Sequence, residues 1–357
     1  METLEQKYRC DEKVWDECAS TYEDQIVCGH PDILAFEDFE EDFFDRLLAY
    51  LASIQDRPLK IMDIGCGSGR LHIRYGCRTA DDSDVKPDHP VYAMKKNNHT
   101  LSCDSVLRRQ LVEVWGIDFS ARMIELAESK IESLGLRSIS SANLTLEKGS
   151  AFELEPQSDE VLPVAVCLVN SIGVMQGPEG AVELFKSMRR AVEKAGGIAI
   201  ISCYQREYIS SYGLGQYEST LDVSGQPAWM TPDTYATGEY VQVAGNYKRA
   251  HSTDTTLTVD VFDAKGNLVK KGHVLRRDPE KTSQTIETGR IRTYGDYKSH
   301  WYSFDIMEEW KNAYWPTDSY HIKTKSLDAL RAEPAQMAIM DPGHHLEGLF
   351  KRWNLIR

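Results

Sequence analysis

LKIMDIGCGSGR, residues 59–70, is a short apolar run that ends in an acid, Asp63, and then in three glycines at alternate positions, Gly65, Gly67 and Gly69. An apolar run of this length bounded by glycine reads as a buried strand feeding a tight turn. Glycines in such a turn let the backbone bend sharply and come close to a ligand that a side chain would keep away. The carboxyl ends of parallel strands are where open α/β sheets bind ligands, so the turn is a candidate site. Read without a ligand, it is a strand-to-helix connection only.

Working outward, further short apolar runs follow at 111–118 (LVEVWGID), 143–149 (NLTLEKG), 161–169 (VLPVAVCLV) and 197–204 (GIAIISCY). Helical patterns separate them. Ser120 can cap a helix carrying Met123, Ile124, Ala127, Ile131 and Leu134 that stops at Gly135, and Pro178 opens another that ends before Gly196 and Gly197. Strands alternating with helices predict a parallel sheet with right-handed crossovers. Ahead of them, apolar residues from Ile33 through Phe36, Phe39, Phe43, Phe44, Leu47, Leu48 and Leu51 to Ile54 fall on one helical face, so the helix is expected to turn its acids to water.

Two segments break the alternation. Residues 71–110 are longer than a crossover helix requires and include RTADDSDVKPDHP, which predicts a surface insertion. Residues 205–300 turn β-rich: TLTVDVFD alternates apolar and polar residues, and Ala264-Lys265-Gly266-Asn267 supplies a turn before LVKKGHVLRRD. After a helix expected to start at Ser303, SYHIKTKS and AQMAIMD read as two closing strands. The expected fold class is α/β, a Rossmann-like parallel sheet with an antiparallel closing strand. Residues 1–204 and 301–357 would make that domain, with an N-terminal helical lid, and 205–300 an inserted β-rich cap.

Composition narrows the function classes. Of 357 residues, 41% are hydrophobic and 27% charged, in keeping with a folded chain, and no apolar stretch approaches the ~20 residues of a membrane span. The start METLEQKYRCDEK lacks a signal-peptide pattern, so a cytoplasmic location is expected. The formal charge is −14, and thirteen acids against the single base Lys13 crowd residues 11–45. Such a surface repels phosphates, so neither nucleic acid nor membrane is an expected partner; a homo-oligomer is left open. Eight cysteines include no CxxC pair and no zinc spacing, so no metal is expected.

Asp63 would sit badly against a pyrophosphate but can accept hydrogen bonds from an ammonium group, and Asp118 at the end of the second strand can take both hydroxyls of a ribose. With IMDIGCGSGR, VWGIDFSARMIELAESK and the order of elements, the chain resembles the class I S-adenosylmethionine-dependent methyltransferases over residues 59–204 and 303–341. The resemblance implies S-adenosyl-L-methionine as cofactor. It puts the methionine portion over Asp63, Gly65, Cys66, Gly67 and Gly69, the ribose on Asp118 beside Phe119 and Met123, and the adenine on Ala151 and Phe152. Where the family usually has Asp before that alanine this chain has Ser150, a weaker acceptor.

Within the family, LVNSIGVMQG after the fourth strand is similar to the glycine and sarcosine N-methyltransferases. That likeness implies Asn170 beside the transferring methyl, Tyr22 closing over the sulfonium, and Arg206 holding a substrate carboxylate with Tyr204 nearby. Read as plain structure, Tyr22 packs a helix, Arg206 forms a surface ion pair, and Asn170 with Ser171 caps a turn. No Ser-His-Asp or Cys-His nucleophile is evident, and a proton acceptor for a nitrogen substrate could be His300, Tyr302 or Tyr204. The expected activity is methyl transfer to a small molecule, foremost an amino-acid nitrogen. The alternatives are O-, S- or C-methylation of another metabolite, a protein methyltransferase, or a non-catalytic cofactor-binding protein.

Overall fold

A computed structural model describes residues 12, 15–16, 19, 31–169, 171–175, 177–204, 240–243, 248–249, 256–262, 268–276, 292–293, 299–301, 311–315, 319–323, 335–353 and 355. The five expected strands form as β1 (Leu59–Ile64), β2 (Leu111–Asp118), β3 (Asn143–Lys148), β4 (Leu162–Cys167) and β5 (Ile198–Tyr204). Two more, β12 (Ser319–Lys323) and β13 (Ala335–Met340), complete one sheet in the order β12-β13-β5-β4-β1-β2-β3. The first five run parallel, and β13 is antiparallel to both of its neighbours. This is the expected Rossmann-like sheet with an antiparallel closing strand. The order reverses at β1, with β2 on one side and β4 on the other, so the glycine turn after β1 sits at the switch point where such sheets hold ligands. Every residue of β4 is buried, as a central parallel strand covered on both faces must be.

Helix α1 (Pro31–Ile54) lays Phe43, Phe44, Leu47, Leu48 and Leu51 into the core. Burying each is worth about 1.5–3 kcal/mol, enough to fix the helix against the sheet. Phe43 meets Trp353 edge-on at 5.6 Å between ring centroids, and Phe44 meets Tyr75 likewise at 5.8 Å. The expectation that the acids of this helix face water is corrected. Asp42 does, whereas Glu40, Glu41 and Asp45 turn toward helix α2 (Arg70–Thr79). There Arg70, Arg74 and Arg78, four residues apart, present one row of guanidinium groups. Arg74 holds Glu41 and Asp45 at 2.5 Å each, and Arg78 reaches Asp45 at 2.9 Å and Asp104 at 3.2 Å.

The 71–110 region is also more than a surface loop. Beyond α2 it forms α3 (Pro90–Asn97), with Pro90 in the first turn and His89 as cap, and α4 (Ser105–Gln110), capped by Asp104. Its Val85, Val91, Leu101 and Leu107 join the main core, and the buried Lys95 ammonium is held by Ala80 O at 2.9 Å and Asp82 at 2.6 Å. Helices α5 (Ala121–Ser133) and α6 (Gly177–Glu193) follow β2 and β4. The connection between β3 and β4, residues 149–161, contains no helix.

Strands of the β-rich region form a separate antiparallel sheet, β11 (Ser299–Trp301), β6 (Tyr240–Val243), β8 (Thr256–Phe262) and β9 (Leu268–Arg276) in that order. The expected hairpin is present, with Phe262 opposite Leu268. A short pair, β7 (Lys248–Arg249) with β10 (Arg292–Thr293), lies apart from it. Strand β11 runs beside the turn Ser171–Val174 at the carboxyl end of β4. The expected start of a helix at Ser303 lies outside the described residues; residues 311–314 are helical. No described helix is long and apolar enough to cross a membrane.

Candidate functional site

The glycine turn is built as the sequence demands. Gly65, Gly67 and Gly69 all take left-handed backbone, with φ of 76°, 51° and 81°. Any other residue would lose about 1–2 kcal/mol at each. At Gly69 a side chain would also press on Ala127 of α5, whose Cβ would stand 3.0 Å away. The turn is tied to the end of β2: the Gly65 and Cys66 amides donate to Ile117 O at 2.8 and 3.1 Å. The Gly67 amide donates to Asp118 Oδ2 at 3.0 Å, and the Ser120 amide to Asp118 Oδ1 at 2.9 Å. A carboxylate offers about four lone-pair sites, so Asp118 is oriented by the loop and keeps acceptor capacity for a ligand hydroxyl.

Asp63 and Asp118 are 5% and 7% exposed, and their protons are held accordingly. Burial pushes the Asp63 carboxyl up to about 7; Arg70 opposes this, while the negative charges of Asp118 and Glu40 add to it. Burial likewise raises Asp118 to about 6, against the pull of the Ser120, Gly67 and Phe119 amides. These are two acids whose surroundings leave their charge under-compensated, as expected where a cationic or hydroxyl-bearing ligand completes the site. Buried beside them, the Cys66 thiol is pushed well above its ordinary range and is inert.

Several contributors are not among the site residues expected from the sequence. The Glu40 side chain is fully buried; its Oε2 accepts from Arg70 Nη2 at 2.7 Å and its Oε1 from the Val169 amide at 2.8 Å and from the Ser202 hydroxyl. Val169 itself has φ 51°, a left-handed conformation that a β-branched residue adopts only under constraint. The N-terminal segment also reaches the site. Asp16 accepts from the Ser120 hydroxyl at 2.6 Å and the Arg122 amide at 3.2 Å, and Glu12 pairs with Lys148 at the end of β3. Arg190 of α6 donates to the carbonyls of Phe152 at 2.9 Å and Leu154 at 3.1 Å, which pins the helix-free connection after β3.

Of the residues expected from the sequence, the structure brings Asp63, Gly65, Cys66, Gly67, Gly69, Asp118 and Phe119 to one edge, with Ala151 and Phe152 beyond the end of β3. Gly149, next to them, donates its amide to Asp118 O at 2.9 Å. Ser150 accepts from the Phe152 amide at 3.2 Å. Met123, whose amide is capped by Ser120, is 1% exposed and packs inside α5's buried face. Ser171 and Met175 cover the turn: a Cβ on Gly65 would meet Met175 at 3.4 Å and Ser171 at 3.6 Å. Tyr22, Asn170, Arg206 and Tyr302 lie outside the described residues, and for Tyr204 and His300 only the strand positions, in β5 and β11, are described. Among the described residues no group of three or more metal-ligating side chains occurs.

No family model and no curated protein matches the chain. Among solved structures it is similar to a SAM-dependent methyltransferase from Methanosarcina mazei, 12% identical over 80% of this chain and 93% of that one, with a TM-score of 0.39. It is similar also to the CcbJ methyltransferase from Streptomyces caelestis, 12% identical over 83% and 93%, TM-score 0.36. A third likeness is to magnesium protoporphyrin IX methyltransferase from Synechocystis with bound SAM, 13% identical over 56% and 76%, TM-score 0.35. At these scores the likenesses carry no weight for the site; the fold stands on its own strand order and register.

Proposed function

We propose that the chain is a methyltransferase that uses S-adenosyl-L-methionine and acts on a small molecule. The observation that carries this is the pair of buried, under-compensated carboxylates, Asp63 and Asp118, at the ends of adjacent strands on either side of a three-glycine left-handed turn. The residues fit that cofactor. Asp63 suits its ammonium and Asp118 its ribose hydroxyls, and the left-handed glycines at 65, 67 and 69 turn the backbone tightly between them. When bound, the cofactor supplies a methyl group already activated on a sulfonium. The chain's own task is then to align the acceptor and exclude water, which in well-oriented systems is worth about 7–11 kcal/mol of barrier.

For the acceptor, our reading is an amine or imidazole nitrogen of an amino acid or its derivative. Arg206 is its carboxylate partner, Asn170 lines the transfer position, Tyr22 closes the site, and residues 205–300 form a cap. What supports the cap is the course of β11 beside the turn Ser171–Val174. It is also supported by the position of the insertion, which leaves the sheet at the end of β5 on the ligand edge. Tyr204, His300 and Tyr302 are the candidates to take the acceptor's proton.

Two measurements test this. Calorimetric titration of S-adenosylhomocysteine should show a single site, and Asp118→Ala should bind about 10- to 150-fold more weakly, from the loss of a charge-assisted hydrogen bond worth about 1.5–3 kcal/mol. Absence of any binding heat would refute the cofactor assignment. Incubation of a metabolite extract with labelled methyl donor should yield a labelled N-methyl amino acid, and Arg206→Lys should raise the acceptor KM while leaving cofactor affinity alone. A product that carries no carboxylate would refute the acceptor class.

A further inference from the structure

The described groups around Asp63 come from five elements: Arg70 from α2, Asp118 from β2, Glu40 from α1, Cys66 in the turn and Cys167 from β4. Arg70 is the only cation among them. It is one residue past the last glycine of the turn, so it could serve either of two neighbouring carboxylates. The hydrogen bonding decides between them: Arg70 Nη2 donates to Glu40 at 2.7 Å, while its Nη1 is buried with no hydrogen-bond partner among the described residues and has Glu41 Oε1 at 3.7 Å.

Glu40 is itself held from two other sides. The Val169 amide and the Ser202 hydroxyl, at the ends of β4 and β5, both donate to Oε1, which leaves Oε2 aimed at Arg70. A charged carboxylate with no exposed side-chain surface persists only if its charge is matched and its lone pairs are used, and here both conditions are met. The arrangement therefore has a direction. It anchors Arg70 by hydrogen bond to the N-terminal helix, while the charge of Arg70 still acts on the carboxyl at the end of β1.

We propose that Glu40 is a positioning residue: by taking up Arg70 it keeps the Asp63 carboxylate free for the cationic end of the ligand. The proposal rests on the cofactor reading above and goes beyond it, because it makes a side chain of the helix before the sheet set the charge available at the glycine turn. Glu40→Gln preserves shape and leaves an oxygen for Val169 and Ser202, but turns an amide NH2 toward Arg70. Arg70 then swings to Asp63. Two effects follow together. Asp63 stays ionised to lower pH, and at neutral pH it is already paired, so the ammonium of a ligand must compete for it.

The test is calorimetric titration with S-adenosylhomocysteine from pH 5 to 7.5 on wild type, Glu40→Gln and the double variant Glu40→Gln/Arg70→Met, with thermal melting to confirm folding. In the wild type the Asp63 carboxyl should weaken binding about a hundredfold on going from pH 7.5 to 5. Glu40→Gln should bind more weakly at pH 7.5 and lose most of that hundredfold dependence. The double variant, with the competing guanidinium gone, should recover both the affinity and the pH dependence. A wild type that shows no binding at any pH overturns the cofactor reading and this proposal with it. A wild type that binds, beside a Glu40→Gln that is unchanged or weakened by the same factor at every pH, overturns the proposal alone. If Glu40→Gln does not fold, the double variant, which removes both charges of the buried pair, decides; a shallow pH dependence there refutes the role assigned to Glu40.

Discussion

Lowering the pH should release the proposed cofactor without unfolding the protein, and the size of the effect follows from the two buried acids. A ligand ammonium needs Asp63 ionised, and with the carboxyl at about 7 only about 1% is ionised at pH 5, against roughly three quarters at pH 7.5. That alone weakens binding about a hundredfold. Asp118, at about 6, adds up to about tenfold where its ribose hydrogen bonds depend on charge, for a total near 3–4 kcal/mol. Stability is the wrong observable, because its terms oppose one another. The raised carboxyls hold protons that the unfolded chain sheds, so their contribution is complete below pH 4 and is lost as pH rises through 6 and 7. The buried His72 imidazole, pushed down to about 4 by burial, acts in the other sense: its contribution is present above about 6.5 and is lost as pH falls toward 4. Binding isolates the acids, since the buried His72 imidazole is hydrogen-bonded to Thr145 O at 3.0 Å and not to either carboxylate. Titration of S-adenosylhomocysteine at pH 6 in buffers of different ionisation enthalpy should reveal release of about 0.9 proton per ligand from Asp63 and up to about 0.5 more from Asp118. Affinity constant from pH 7.5 to 5, with no proton release, would refute the reasoning.

Gly116 of β2 should tolerate no side chain, because a Cβ there would stand 2.4 Å from His72 Cε1 and 2.9 Å from Cys66 Cβ. Gly116→Ala is expected to destabilise by about 1–3 kcal/mol in urea unfolding, and an unchanged midpoint would contradict the packing described. Arg190→Met should free the carbonyls of Phe152 and Leu154 and lower cofactor affinity by about 1–2 kcal/mol, roughly five- to thirtyfold; equal affinity in a titration would show that the connection after β3 needs no such anchor.

The strands and the glycine turn were legible because their causes are local. A run such as LPVAVC is apolar on both faces because the strand is central, and glycines at 65, 67 and 69 announce positive φ that few other residues accept. Asp118 could be named because a strand-end acid next to a helix cap is a short-range pattern. Glu40 was missed for a physical reason. Acids on an amphipathic helix ordinarily face water, yet Glu40 lies three residues before Phe43 and four before Phe44, within the apolar stripe, and that placement was the available signal. The matching row of Arg70, Arg74 and Arg78 was a second one. Val169 offered none, since its left-handed backbone runs against the preference of a β-branched residue. In 71–110, the many Asp residues hid helices whose caps, His89 and Asp104, are themselves polar.

The contacts of Glu40 also bear on when in folding the site can exist. They join positions 30, 129 and 162 residues apart along the chain. The pairings β1–β2, β2–β3 and β4–β5 can form from neighbouring βαβ units, and β1–β4 joins them across the chain from Leu59 to Leu162, but the Glu40 to Ser202 contact closes a still longer loop around them. Such long closures come late, because their entropy cost is repaid only once the intervening elements are in place. A chain that has assembled its first strands would thus hold the glycine turn in shape with Arg70 unclaimed and the end of β4 unheld. Ligand-binding competence would appear only at the final docking of α1. In a refolding experiment, recovery of cofactor binding should trail recovery of helical and strand signals, so that the site reports completion of the fold rather than its onset.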